Sequence, residues 1–100
     1  MTTTNKAVMA LSLAIKAGKL VAGYDAVERA VLSKRAKTIV MANDISTRTE
    51  RNITRVSKDL ETIKVPFGAD ELLAVFGRRV AVVALTDSHF SDLLAKALQS

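Results

Sequence analysis

Apolar positions recur along this chain either with helical spacing or as short unbroken runs, and the changes between the two patterns mark the predicted elements. Thr4 to Ala17 has helical periodicity, with the leading threonines as caps and Gly18 as the stop. Lys19 to Ala22 reads as a short strand, and Gly23 turns the chain into a second helix, Asp25 to Ser33, with Val27, Ala30 and Val31 on one face. Thr38 to Ala42, TIVMA, is β-branched and continuous, the pattern of a strand covered on both faces. Asn43, Asp44 and Ser46 supply a turn and a cap. Ile53, Val56 and Leu60 then mark the core face of a third helix ending near Asp59 or Leu60.

TIKVPF, from Thr62 to Phe67, is predicted as the third strand. Asp70 and Glu71 open a short helix at the end its dipole favours for acids, and Gly77 closes it. VAVVAL, from Val80 to Leu85, is the fourth strand. After Thr86 and Asp87, the residues Phe90, Leu93, Leu94, Ala97 and Leu98 form one apolar stripe of a last helix. Strict alternation with short connections implies an α/β fold, a three-layer α/β/α sandwich in which about five helices flank a largely buried sheet of four strands, with a mixed sheet as the expectation. Residues 1–100 read as one domain, without linker or repeat.

Composition narrows the function more by exclusion than by assignment. The formal net charge is +5, a balance that favours an anionic partner such as nucleic acid. The absence of cysteine removes disulfides, thiolate metal sites and thiol nucleophiles, and His89 is the only histidine. His89 therefore reads as a surface histidine, and neither a metal site nor a Ser-His-Asp set is expected. Gly18 to Gly23 has the glycine spacing of a phosphate-binding loop, but Tyr24-Asp25 stand where Lys-Ser/Thr should follow, so a nucleotide site is not expected. The apolar stretch from Ala7 to Ile15 lacks the basic leader of a signal sequence and is too short to span a bilayer. A cytoplasmic, noncatalytic, monomeric protein without cofactor or small-molecule substrate is the expectation.

Positive charge is placed unevenly. Gly23 precedes a helix start, a natural phosphate site, and Asp25 and Arg29 lie one turn apart just beyond it. The pair reads equally as an i,i+4 ion pair or as a phosphate-holding arginine. Arg48, Arg51, Arg55 and Lys58 make a basic stripe on the third helix, opposite Ile53, Val56 and Leu60. With no aromatic side chain among them to stack on bases, the stripe reads as a solvated face. Arg78 and Arg79 follow Gly77 in a turn before the fourth strand and are candidates for a backbone clamp. In a mixed sheet the turns at Gly23, Asn43-Asp44 and Gly77-Arg79 can meet on one edge.

Taken in order, Ala17-Gly18-Lys19-Leu20, Gly23, Lys37 through Asp44, Thr49, Val65-Pro66, Glu71-Leu72 and Gly77 resemble the ribosomal L7Ae/L30e family, most closely its bacterial YlxQ-type branch. The resemblance runs from about Val8 to Phe90. It implies an α/β/α sandwich that binds structured RNA, typically kink-turns, in which tandem G·A pairs bend an internal loop, and it implies no catalysis. Ribosomal RNA, or the ribosome itself, is the partner it suggests. Carried over by position, the RNA-contacting residues are Gly23, Asp25 and Arg29, then Asn43 and Asp44, then Arg78, Arg79 and Val80. Gly23 would admit the RNA backbone, Arg29 would hold phosphate, and Val80 would pack under an extruded base. Two departures stand out: Asp25-Ala26 replaces the family's Asn-Glu, removing a guanine-reading carboxylate at Ala26, and Leu73 replaces a common glycine. The alternative is a protein-interaction module of the same fold with weak RNA affinity, turning its sheet edge or basic helix to an acidic partner.

Overall fold

Helices and strands alternate from α1 (Thr3–Lys16), β1 (Leu20–Ala22), α2 (Tyr24–Leu32) and β2 (Thr38–Met41) through α3 (Thr47–Val56), β3 (Glu61–Lys64), α4 (Ala69–Phe76), β4 (Val82–Leu85) and α5 (Ser88–Gln99). This is seen in a computed structural model that describes residues 3–99. The threonine cap expected at the start of α1 lies outside the described residues and side chains.

The strands form a four-stranded sheet in the order β1-β4-β2-β3. β4 runs antiparallel to both β1 and β2, while β2 and β3 are parallel, so the sheet is mixed. The central strands β2 and β4 are buried throughout, as their unbroken apolar runs require; β1 is half-buried and β3 is a largely exposed edge.

Side chains of the central strands point alternately to the two faces and feed two separate cores. Val40, Val83 and Leu85 join Leu11 of α1, Leu72 of α4 and Leu94 of α5 on one face. Ile39, Met41, Val82 and Ala84 join Val27 and Ala30 of α2 and Ile53 of α3 on the other. The result is the α/β/α sandwich expected. A polar contact crosses into the first layer: the Thr38 hydroxyl donates to the Ser91 hydroxyl of α5 at 2.7 Å, both residues being buried.

Element ends differ from the sequence pattern for local reasons. α3 stops at Val56, short of Leu60: Ser57 leaves helical geometry at φ −114° and ψ 24° while its N–H and hydroxyl both donate to the Ile53 carbonyl, at 3.0 and 2.7 Å, and the Leu60 N–H turns back to the Ser57 carbonyl at 2.8 Å. Leu60 reaches the second core from the turn that follows. β3 begins at Glu61 and ends before Val65-Pro66, since proline offers no N–H to a ladder. Val65 and Phe67 are nevertheless buried in the first core. At the other end of α3, Ser46 accepts from the Thr49 N–H at 3.1 Å, the cap expected there.

Candidate nucleic-acid interface

The strand directions decide where the turns lie. Ala22 is opposite Val83, and Met41 is opposite both Val82 and Lys64. The exits of β1, β2 and β3 and the entry to β4 therefore share one edge of the sheet. α2, α3 and α4 all begin there, so their partly positive N-terminal ends collect at that edge.

The turn at Gly23 is built tightly into it. Gly23 has φ 93° and ψ 156°, a backbone region left almost entirely to glycine. Its N–H donates to the Val82 carbonyl at 3.0 Å, joining the β1–α2 turn to the start of β4. Arg78 adds a second tie, with Nη2 donating to the Ala22 carbonyl at 3.1 Å. The guanidinium lies across the glycine, so that a Cβ at Gly23 would sit 3.4 Å from Nη2. Gly23, Asp25, Ala26, Arg29 and Arg78 surround a cleft of about 260 Å³. Asp25 and Arg29 are exposed and do not form an ion pair with each other. Arg29 is left with its charge unneutralised beside the cleft.

The β2–α3 turn is placed by backbone and by burial. The Asn43 N–H donates to the Phe67 carbonyl at 2.9 Å, leaving the exposed Asn43 side chain on the edge, while Ile45 is buried below. Asp44 has a structural occupation that the sequence pattern did not reveal. Its Oδ1 accepts from the Ala69 N–H at 3.0 Å, capping α4 from a neighbouring loop. Gly68 stands at the cap position of α4 and has no side chain to do this. A Cβ at Gly68 would lie 2.8 Å from Asp44 Oδ2, so the glycine makes room for the borrowed cap. Glu71 completes the helix start by accepting from the Gly68 N–H at 3.0 Å.

The two remaining candidates sit differently from Arg78. Arg79 pairs with Asp70 at the start of α4, both side chains exposed. Val80 is only 5% exposed and belongs to the first core. The cleft thus unites Gly23, Asp25, Arg29 and Arg78 with Ala26, whereas Asn43 and Asp44 lie in the neighbouring β2–α3 turn. Nothing in the residue pattern marks Asp44 as a cap for a helix so distant in sequence. Elsewhere, His89 is exposed with its ring edge-on to Phe90, centroids 5.3 Å apart, and among the described residues no group of acidic, histidine or cysteine side chains is arranged to hold a metal.

A family model described as the ribosomal protein L7Ae/L30e/S12e/Gadd45 family matches residues 5–95. The chain belongs to this family. It is 34% identical over 93 residues to the RNA-binding protein YlxQ of Bacillus subtilis, an alignment covering 88% of this chain and 90% of that protein. Its fold is shared with a Bacillus halodurans protein of unknown function, with a TM-score of 0.83 at 22% identity, covering 95% of this chain and 98% of the other. A Giardia lamblia 15.5kD RNA binding protein shares it too, with a TM-score of 0.71 at 10% identity over 97% and 85% of the two chains. Ala26, the position at which the resemblance leads one to expect a carboxylate, lies in the wall of the cleft. Among the described residues no helix is long and apolar enough to cross a membrane.

Proposed function

We propose that this L7Ae-family protein is a noncatalytic, cytoplasmic RNA-binding protein that holds a sharply bent, kink-turn-like internal loop against the edge shared by the Gly23, Asn43 and Arg78 turns. The observation that carries the reading is the cleft between Gly23, Asp25, Arg29 and Arg78, where a positive-φ glycine, a helix start and two exposed arginines meet. A phosphate fits the start of α2 with Arg29 beside it. Asp25 supplies an acceptor for a guanine edge, and the exposed Asn43 side chain offers donors and an acceptor to a neighbouring base or sugar. The B. subtilis relative, named as an RNA-binding protein, supports the partner class. Ribosomal RNA is the natural source of such a loop, with the protein acting as a monomer.

Titration of a kink-turn RNA and a plain duplex of equal length, each across a range of salt, tests the proposal. Tighter binding to the kink-turn at every salt concentration is expected. Equal binding that vanishes with salt would mean nonspecific adsorption and would favour a protein partner instead.

A further inference from the structure

A row of exposed positive charge lies outside that cleft, on α3. Arg48, Arg51 and Arg55 fall within about 60° of one another around the helix, given 100° per residue. They are exposed, and none has an ion-pair or hydrogen-bond partner among the described residues. Glu50 is the nearby acid that might have neutralised them, but it is drawn to the other flank, where its carboxylate meets Lys64 of β3 at 3.1 Å. By contrast, Arg79 is matched by Asp70 and Arg78 donates to the Ala22 carbonyl. Lys58 lies beyond the end of α3 and does not extend the row.

The row is also joined to the proposed RNA edge. α3 starts at Thr47, directly after the Asn43-Asp44 turn, and Ser46 fixes that start by capping Thr49. Arg48 is therefore close to the edge, and Arg55 lies about 10 Å further along the helix axis at 1.5 Å per residue. The three positions form a track leading away from the place where the bent loop would be held. None of the four aromatic residues of the chain lies on α3, so the track has no platform for unpaired bases. Guanidinium groups without aromatics suit the phosphates of a paired stem, contacts that position RNA without reading its sequence.

We infer that the exposed arginine row of α3 is a second RNA contact, holding the phosphate backbone of a duplex stem that leaves the bent loop, an extension that rests on the function proposed above. The row and the cleft divide the work. The cleft selects the bend, and α3 adds sequence-independent affinity that grows with stem length.

The test uses the full protein and kink-turn RNAs with both stems long, or with one stem or the other trimmed to the shortest length that keeps the kink. The variant carries Arg48→Ala, Arg51→Ala and Arg55→Ala, exposed positions where alanine keeps the helix and circular dichroism verifies folding. On the long-stemmed RNA it should bind more weakly than the native protein, and the slope of log K against log salt should shrink by about 2 to 3 if most of the row neutralises phosphates. Trimming the contacted stem should erase the difference between variant and native protein, and Arg→Lys at the same positions should retain most of the slope. An unchanged slope on long stems would overturn the inference and return the row to a solvated face or a protein-binding surface. So would an equal loss on trimmed and long RNAs, since the arginines would then act without a stem. Kink-turn preference of the native protein over duplex is read in the same titrations. If that preference is absent while stem-dependent loss persists, α3 stands as a duplex contact and only the bent-loop reading falls.

Discussion

Asp44 was expected to face RNA, yet its carboxylate caps α4 beside Gly68, and the two roles make opposite predictions for Asp44→Ala. If capping dominates, removing the carboxylate leaves the Ala69 N–H without its acceptor and costs about 1 kcal/mol, within the 0.5–2 range for lost caps. For a chain of this size that lowers Tm by roughly 4–8 °C. Affinity for RNA should hold or rise, because a negative charge near the phosphates has gone. Gly68→Ala approaches the same contact from the other side. Gly68 has φ −99°, so alanine suffers no backbone strain there; the obstacle is the 2.8 Å approach of its Cβ to Asp44 Oδ2. The carboxylate must swing away, and the cap is lost along with the clash. With Asp44 already alanine the space is open, so the second substitution should cost less than it does alone, by about 1 kcal/mol of coupling in a double-mutant cycle. Thermal melts of the four proteins, with RNA titrations well below the lowest Tm, supply both readouts. Additive losses would refute the shared cap, and a stable Asp44→Ala protein with weakened RNA binding would return Asp44 to the interface.

Gly23→Ala should destabilise the fold by about 1–3 kcal/mol in chemical denaturation, since its backbone region suits glycine almost alone and Arg78 lies across it; an unchanged midpoint would refute this. Arg29→Ala should reduce the salt slope of RNA binding by about 1, the signature of one lost phosphate contact, and an unchanged slope would remove Arg29 from the interface. The pair Asp25→Asn with Ala26→Glu restores the family pattern and should tighten kink-turn binding by about 1–3 kcal/mol if the new carboxylate reads a guanine edge. An equal gain on plain duplex would refute base reading. Ser91→Ala should cost about 1–3 kcal/mol by stranding the buried Thr38 hydroxyl, and adding Thr38→Val should recover much of that loss in denaturant titrations.

The elements most visible in the sequence were those under the simplest constraint. β2 and β4 are covered on both faces, so every residue had to be apolar or, like Thr38, provided with a partner, which made both strands visible; the apolar run overstates β4 at its start, because Val80 is buried in the first core before the strand begins at Val82. Edge strand β3 shows the reverse. Solvent takes one face of it, its polar residues carry little signal, and the apolar Val65 and Phe67 drew attention to a segment that packs into the core after the strand has ended. Gly23 was legible because a positive-φ turn has a residue type of its own. Gly68 was not, since its need arises from a carboxylate 24 positions away, and no local pattern encodes that distance. The same holds for Arg78 and Arg79, which look equivalent in sequence. One is tied to the β1 carbonyl and the other to an acid on α4, and only the folded sheet distinguishes them.

That distinction bears on how the protein would grip its RNA. A carboxylate at position 26 would read base edges; alanine there, in the wall of the cleft, cannot accept a hydrogen bond. Under the proposed function, selectivity would then come from the shape of the edge, from Asp25 and from Asn43, and affinity from phosphate contacts. Arg79 is paired with Asp70, while Arg78 donates to the neutral Ala22 carbonyl and keeps its charge, so the cleft retains Arg29 and Arg78 as its cations. The exposed row on α3 would add charge at a distance from that edge, where it would strengthen binding without changing which loop is chosen. A cleft with few base readers and a stem contact on α3 would together make binding steep in salt and dependent on stem length.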